Sequence, residues 1–409
     1  MSFVLPQFYA IEMIHKLFEN IRFGEVITWF FRTFLPVFRF RDWVVVSRYS
    51  EVIEVLSRNQ DFTISEINAA RMHAVDIDFF LGMDTSPQHD REKGIMELVA
   101  KREDMGRIQQ FVSKESERIT DEIKTIGKIE VVETISRIVP VLLVDNYFGV
   151  RNPNQKQMLY WLRILFHQLF LNLNNDPVIE AKAKKAGNEL KPFLNVLISD
   201  RRRQMEEGKE CPDDLITRLL KLQPQYDWLD TDAIRRNISG LIIGAVETTS
   251  KCVVLVLEEL FRRPEVLKEA IALANKNDIK ALKNYCYEAL RFNPHNPIVI
   301  RYASEEQRIG KNGKYKIPAQ CKVLVGIYSG MFDKKVFTSP GKFKVDRKTE
   351  YLHFGYGMHE CFGKHINAVQ IPIIVGSILR LPNLRKASIN DGKVINDGPF
   401  PESFWLEFD

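Results

Sequence analysis

The stretch FGYGMHECFGKHI, Phe354 to Ile366, decides how this chain is read. Gly355, Gly357 and Gly363 put three glycines within nine residues around Cys361, which marks a tight, close-approaching loop because glycine alone takes left-handed backbone angles without steric cost. A helix is expected to begin at Cys361. Its sulfur would then face unpaired backbone N–H groups and the positive end of a helix dipole, conditions that favour thiolate over thiol. Cys211, Cys252, Cys286 and Cys321 are scattered and form no C-x-x-C pair; with Cys361 they make five, an odd number that argues against a disulfide framework and a zinc site and for a reducing compartment. A solitary thiolate suits a nucleophile or the sole protein ligand of a haem iron. The plainer alternative is a buried free cysteine in a glycine-rich turn.

The rest of the chain narrows the setting. Its 409 residues, 45% hydrophobic and 27% charged, have the composition of a folded globular protein and exclude disordered, collagen-like and disulfide-scaffold classes. Lys+Arg of 58 against Asp+Glu of 53 gives only +5, too small and too dispersed an excess for a nucleic-acid binder. Arg32, Arg39 and Arg41 interrupt the greasy segment from Ile27 to Val46, so no membrane span is expected. The first twenty residues lack the basic start and small-residue cleavage site of a signal peptide, and the expected location is cytoplasmic. The aromatic-rich start (Phe3, Phe8, Tyr9, Phe18, Trp29, Phe30, Phe31) would also suit contact with a membrane surface.

No repeat or linker divides the sequence, and residues 1–409 read as a single domain. Helical periodicity dominates from Pro87 to Arg291, while strand-like runs lie at Trp43 to Ser47, Pro297 to Tyr302, Lys322 to Ile327 and Ser403 to Phe408. The fold class is mainly α with a small β-rich lobe. One helix is expected to run unbroken from the Asp230, Thr231, Asp232 cluster to Pro264, uncharged from Gly240 to Val246 and then abruptly polar at Glu247, Thr248, Thr249 and Ser250. Thr248 shares a face with Gly244 and can donate to its carbonyl, opening the helix for a small ligand or water; Glu247 would pass protons inward. The plainer reading is a helix that simply reaches solvent there. Glu288 and Arg291, one turn apart in NYCYEALRFNP, form either a solvated surface pair or, among Tyr285, Cys286, Leu290 and Phe292, a buried one.

Together these motifs resemble the cytochrome P450 family of haem-thiolate monooxygenases. FGYGMHECFG is similar to its F-x-x-G-x-H-x-C-x-G loop, Glu288 and Arg291 to its E-x-x-R, and Gly244 to Thr248 to its oxygen-activation motif; MFDKKVFTSPGKFKVDR and SPQHDREK resemble two further stretches. The resemblance covers essentially the whole chain. It implies a cytochrome P450-like fold with haem b (iron protoporphyrin IX) between a long distal helix and a proximal cysteine loop. Cys361 would be the iron ligand; a cysteine thiolate pushes electron density that favours O–O cleavage, a property for which this family is itself the standard example. Phe354 would pack beside the sulfur, with the N–H groups of Phe362 and Gly363 tempering it. His89, Lys93, Arg301 and His359 would bind the propionates, Glu288, Arg291 and Arg347 would hold the scaffold, and Glu247 and Thr248 would supply two protons for O2 activation.

The implied reaction inserts one oxygen atom from O2 into a small apolar organic substrate, with electrons from a separate ferredoxin- or flavodoxin-type donor. The substrate would lie against the loop from Thr63 to Gly82, Phe170, Ile243, Ile298, Val299, Phe400 and Phe404. A basic footprint for the donor is expected from Arg91, Lys93, Lys101, Arg102 and Lys364. Lys93 stands where the family usually has arginine, Ala245 replaces the second glycine of the oxygen motif, and Asn367, Gln370 and Pro372 also depart from the pattern. Peroxide-dependent peroxygenation or lipid-hydroperoxide rearrangement is the alternative activity, and a haem-bound sensor or carrier a third.

Overall fold

A computed structural model describes residues 21–151 and 154–409. Helices fill the middle of the chain, and the described residues also form four small sheets, the largest of which joins strands from both ends. The largest has the order Val37–Phe40, Trp43–Val46, Cys321–Val325, Val299–Ala303. Trp43–Val46 runs parallel to Cys321–Val325, and the remaining pairs are antiparallel. Three of the four expected strands therefore meet in one sheet. The fourth, Trp405–Glu407, joins Lys128–Glu130 and Arg385–Lys386 in another. Short hairpins at Gln307–Ile309 with Tyr315–Ile317 and Ile395–Asp397 with Phe400–Ser403 carry no long alternating pattern and escaped the sequence reading.

Of the aromatic start, Phe3, Phe8, Tyr9 and Phe18 lie outside the described residues. Trp29, Phe30 and Phe34 are exposed on the helix Ile21–Phe34, where Phe34 contacts both neighbouring rings. Among the described residues, only 231–261 is long and apolar enough to cross a membrane, and it is mostly buried within the protein.

That central helix is two helices, Thr231–Ala245 and Glu247–Phe261, which corrects the expectation of one unbroken rod. Asp230 caps the first by accepting from the Ala233 N–H at 2.7 Å. From Ala233 to Ile243 nearly every side chain is buried, as expected where a helix crosses a large core. At Val246 the backbone leaves regular geometry (φ −93°, ψ −65°). The Thr248 hydroxyl donates to Gly244 O at 2.5 Å and the Thr249 hydroxyl to Ala245 O at 2.7 Å, giving two carbonyls side-chain partners at the step. The second helix ends at Phe261, and Pro264 opens the next helix, Pro264–Asn275.

Glu288 and Arg291, near the end of the helix Ile279–Phe292, are both fully buried, which decides between the two sequence readings. Arg291 donates to the Glu288 carboxylate from Nε (3.0 Å) and Nη2 (2.8 Å), with its guanidinium among Phe292, Phe332 and Phe337. Arg347 Nε (3.1 Å), Tyr351 OH (2.9 Å) and the Lys344 N–H (2.9 Å) also donate to Glu288. Arg291 and Arg347 reach the carbonyls of Pro340, Lys342 and Thr338. Residues 338–351 are irregular chain, held in place by this one carboxylate.

Removing one partner of a buried pair leaves the other charge uncompensated. Glu288→Ala should therefore lower unfolding free energy by about 3–5 kcal/mol, measured by urea denaturation, whereas Lys344→Ala, which keeps its backbone donor, should change it little.

Candidate active site

The cysteine loop is closed by the Cys361 N–H donating to Phe354 O at 2.7 Å. Gly355 and Gly357 both have φ +74°, and a Cβ on Gly357 would meet Leu56 O at 2.7 Å. Glycine is required there by angle and by space. The following helix starts at Lys364, with Gly363 before it, three residues later than expected. The Cys361 sulfur consequently sits ahead of the helix, with a backbone hydrogen bond at Gly363 drawing its pKa down. Burial dominates and pushes the thiol up, with Glu360 adding to that and Lys364 opposing it. The protein alone does not favour the thiolate, so the expected helix-terminus effect is outweighed; a coordinated metal cation is the group that would deprotonate this sulfur. Phe354 packs against Tyr287, whose carbonyl contacts His353 Nε2 at 2.8 Å.

Opposite the sulfur stands the step in the central helix. A cavity of about 90 Å³ lies between Cys361, Phe362, Gly363 and Ile366 on one side and Gly240, Leu241, Gly244 and Ala245 on the other. Gly240 allows the approach of Phe79, whose ring an added Cβ would strike at 2.2 Å. Phe79, Leu81 and Phe170 line the cavity as anticipated, whereas Ile243, Ile298, Val299, Phe400 and Phe404 do not. Ile243 and Phe404 are core, and Phe400 packs on Phe166 beneath Arg163. Leu143, Phe148 and Ile366 line it unanticipated, because apolar residues at helical spacing look the same whether they face a cavity or a core.

At one edge of this region basic groups converge with too few acceptors. His89, buried, has Nδ1 2.8 Å from Asp90 Oδ1, but its Nε2 has no partner. Both ring nitrogens of His359 are buried without a well-aligned hydrogen bond. Arg301 is buried and donates only to the neighbouring Ile300 O at 2.9 Å; Lys93 Nζ donates to Met358 O at 3.1 Å. Burial, then the charges of Arg301, His89 and Lys93, drive the His359 pKa down to about 3. Burial pulls Arg301 to about 10, with Asp84 opposing. Buried donors without acceptors are costly, and this set fits the two propionates of a haem whose iron would lie near Cys361. The sequence-predicted ligands are thus brought together.

The acid and alcohol differ in availability. Thr248 is half-buried beside the cavity-lining Gly244. Glu247 is 1% exposed and ion-paired, its Oε1 3.1 Å from Arg137 Nε. Burial raises its pKa and Arg137 opposes the rise. Arg137 also pairs with Glu133 and Glu402, and Glu402 with Arg163, so the buried carboxylate connects to exposed charge. Arg137 was missed by the sequence reading, since nothing local links it to a residue 110 positions away. Among the supposed docking cations, Lys93 turns inward, Arg91 lies over Trp228, and Lys364 is paired with Glu350 and Glu360. Lys101 and Arg102 remain exposed.

The family model for cytochrome P450 matches residues 5–399. The chain is 25% identical over 310 residues to 6-deoxyerythronolide B hydroxylase of Saccharopolyspora erythraea, covering 74% of this chain and 71% of that protein. It is also 25% identical over 253 residues to cyclomarin C epoxidase CymV of Salinispora arenicola, covering 62% of this chain but only 60% of the epoxidase, less than two thirds of its length. The solved structure of CalO2 superimposes with a TM-score of 0.82 at 20% identity, covering 96% of this chain and 97% of the other.

Two histidines outside the basic edge make acid stability testable. Burial lowers His295 to about 3 and His353 to about 4, from an ordinary value of 6.5. Below pH 6.5 the unfolded chain takes up these protons and the folded one does not, so stability should fall with pH down to about pH 4, by at most about 2.7 kcal/mol per unit for the pair. Urea unfolding across that range should show a shallower slope for the His295→Gln/His353→Gln double variant.

Proposed function

The chain belongs to the cytochrome P450 family, and from that premise we propose that it is a haem-thiolate monooxygenase, one domain throughout and cytoplasmic. It inserts one oxygen atom from O2 into a small apolar organic molecule, using electrons from a ferredoxin- or flavodoxin-type partner. The observation that carries this reading is the convergence of Cys361, the opened step at Gly244 and Thr248, and the acceptor-poor cluster of His89, Lys93, Arg301 and His359 around one region. When bound, haem b supplies the redox chemistry and O2 activation.

The protein's own residues divide the remaining work. Cys361 would hold the iron through its sulfur, and the Gly363 backbone hydrogen bond would keep electron density on that sulfur in check. Phe354 shields that side, and the basic edge fixes the cofactor's rotation through its propionates. Apolar walls at Leu143, Phe148 and Phe170 exclude water and orient the substrate. On the distal side Thr248 holds its proton toward Gly244 O and can redirect it into the step. Glu247 holds or relays a proton only when its carboxylate loosens from Arg137, whose other partners lead to the exposed Glu133 and Glu402. The electron donor docks on the cysteine side, where Lys101 and Arg102 offer positive charge.

One observation favours the peroxide-dependent alternative: the Arg137 pair occupies the carboxylate on which proton delivery would depend. A peroxide-driven enzyme has less need of that delivery.

Reduced, carbon monoxide-treated protein should show the red-shifted Soret band of thiolate ligation, and Cys361→Ser should abolish it. Thr248→Ala should keep haem and the thiolate spectrum while sending most electrons to hydrogen peroxide. Glu247→Gln should slow O2-dependent turnover by ~100-fold or more. Full peroxide-driven turnover by both variants, with none from O2 and a reduced partner in the parent protein, would establish the alternative instead.

A further inference from the structure

Five arginines are deeply buried among the described residues: Arg71, Arg137, Arg235, Arg291 and Arg301. Arg137, Arg235 and Arg291 pair with carboxylates, and Arg301 belongs to the basic edge that fits a haem. Arg71 has neither arrangement. It sits on the helix Ser65–His73 at 4% exposure. Its Nη2 donates to Asn68 Oδ1 on the same helix at 2.7 Å, and its buried Nε has no partner. Burial alone acts on it, lowering its pKa only to about 10, so it remains a cation at neutral pH.

A buried, unpaired guanidinium is expensive unless an anion joins it, and the surroundings indicate where that anion comes from. The helix Ser65–His73 packs against three segments: His167–Leu171, which sends Phe170 into the cavity; Phe80–Gly82, which sends Leu81; and Val299–Ala303, which carries Arg301. Within His167–Leu171, Gln168 is fully buried; its Oε1 accepts from Asn172, but its Nε2 donates to nothing. Two elements packed together thus each hold an unsatisfied buried donor, and one of them is the segment that supplies the cavity-lining Phe170. Lys251, one turn beyond Thr248, is a further cation without an acidic partner among the described residues and is the competing anchor that the test below separates.

We propose that Arg71 anchors the carboxylate of an organic-acid substrate, with the Gln168 amide as a second donor and the apolar remainder extending past Phe79 and Phe170 toward the step at Gly244 and Thr248, on the side of the haem away from Cys361. This refines the substrate class and rests on the haem-thiolate reading. A planar guanidinium presents parallel N–H groups matched to the two oxygens of a carboxylate, and truncation of such a contact removes both charge and geometry.

The test is equilibrium dialysis of the haem-loaded protein with labelled dodecanoic acid, its methyl ester and 1-dodecanol, a readout independent of turnover and of the haem spectrum. The acid should bind ~10- to 100-fold more tightly than either neutral analogue, the range for a hydrogen bond to a charged group. Arg71→Met should erase that preference, and Arg71→Lys should retain part of it. Equal binding of acid and ester by the parent protein, or no binding of the acid, overturns the proposal without any variant needing to fold. So does a preference that survives Arg71→Met; if it then falls in Lys251→Met, the anchor is Lys251. A protein that prefers the acid yet lacks the carbon monoxide signature of thiolate ligation would instead defeat the functional reading beneath it.

Discussion

Five donors from four residues converge on the Glu288 carboxylate: two from Arg291 and one each from Arg347, Tyr351 and the Lys344 backbone. Because the pair is fully buried, its members have no water to fall back on and must satisfy one another. The consequence is mechanical. The irregular chain from Thr338 to Tyr351 has few backbone partners of its own and is pinned to the helix Ile279–Phe292 by these side chains. That chain runs directly into the loop carrying Cys361, and Tyr287 on the same helix carries the ring against which Phe354 packs. A carboxylate far from any chemistry therefore fixes where the sulfur can be.

The opposite wall depends on a local conflict. The central helix is uncharged from Gly240 to Ala245 and buried as far as Ile243, then must accommodate an acid and two alcohols at its step. The conflict is met by breaking the helix at Val246, with Thr248 and Thr249 bonding to the freed carbonyls and Arg137 pairing with Glu247. The same break leaves the small residues Gly244 and Ala245 facing Cys361 across the cavity. The break in the helix and the site are thus one feature, as is common where a helix ladder opens.

Positive charge without a matching acid recurs at three places, one of them Lys251. At the edge formed by His89, Lys93, Arg301 and His359 it suits the propionates of the cofactor; at Arg71 it suits an anion that the chain does not supply. The other deeply buried arginines do not behave this way: Arg137 has Glu247, Arg235 has Asp76 and Asp232, and Arg291 has Glu288. An unpaired buried guanidinium in a molecule that pairs most of its buried arginines is a mark of ligand recognition rather than of folding.

Much of this was legible in the order of residues. The glycine spacing around Cys361 requires a tight loop wherever it falls, because the backbone angles at Gly355 and Gly357 exclude side chains. The acidic cap at Asp230, the helical body and all four expected strands also follow from local pattern, which acts over a few residues and is therefore written locally. Tertiary structure decided what depends on distant neighbours. Burial sets the Cys361 thiol against the helix-end effect, Arg137 engages Glu247 across 110 residues, and Lys364 spends its charge on Glu350 and Glu360. Arg71, unremarkable as one basic residue in a short helix, acquires meaning only once the chain has folded around it and left it without a carboxylate, since desolvation and charge pairing are properties of the assembled interior.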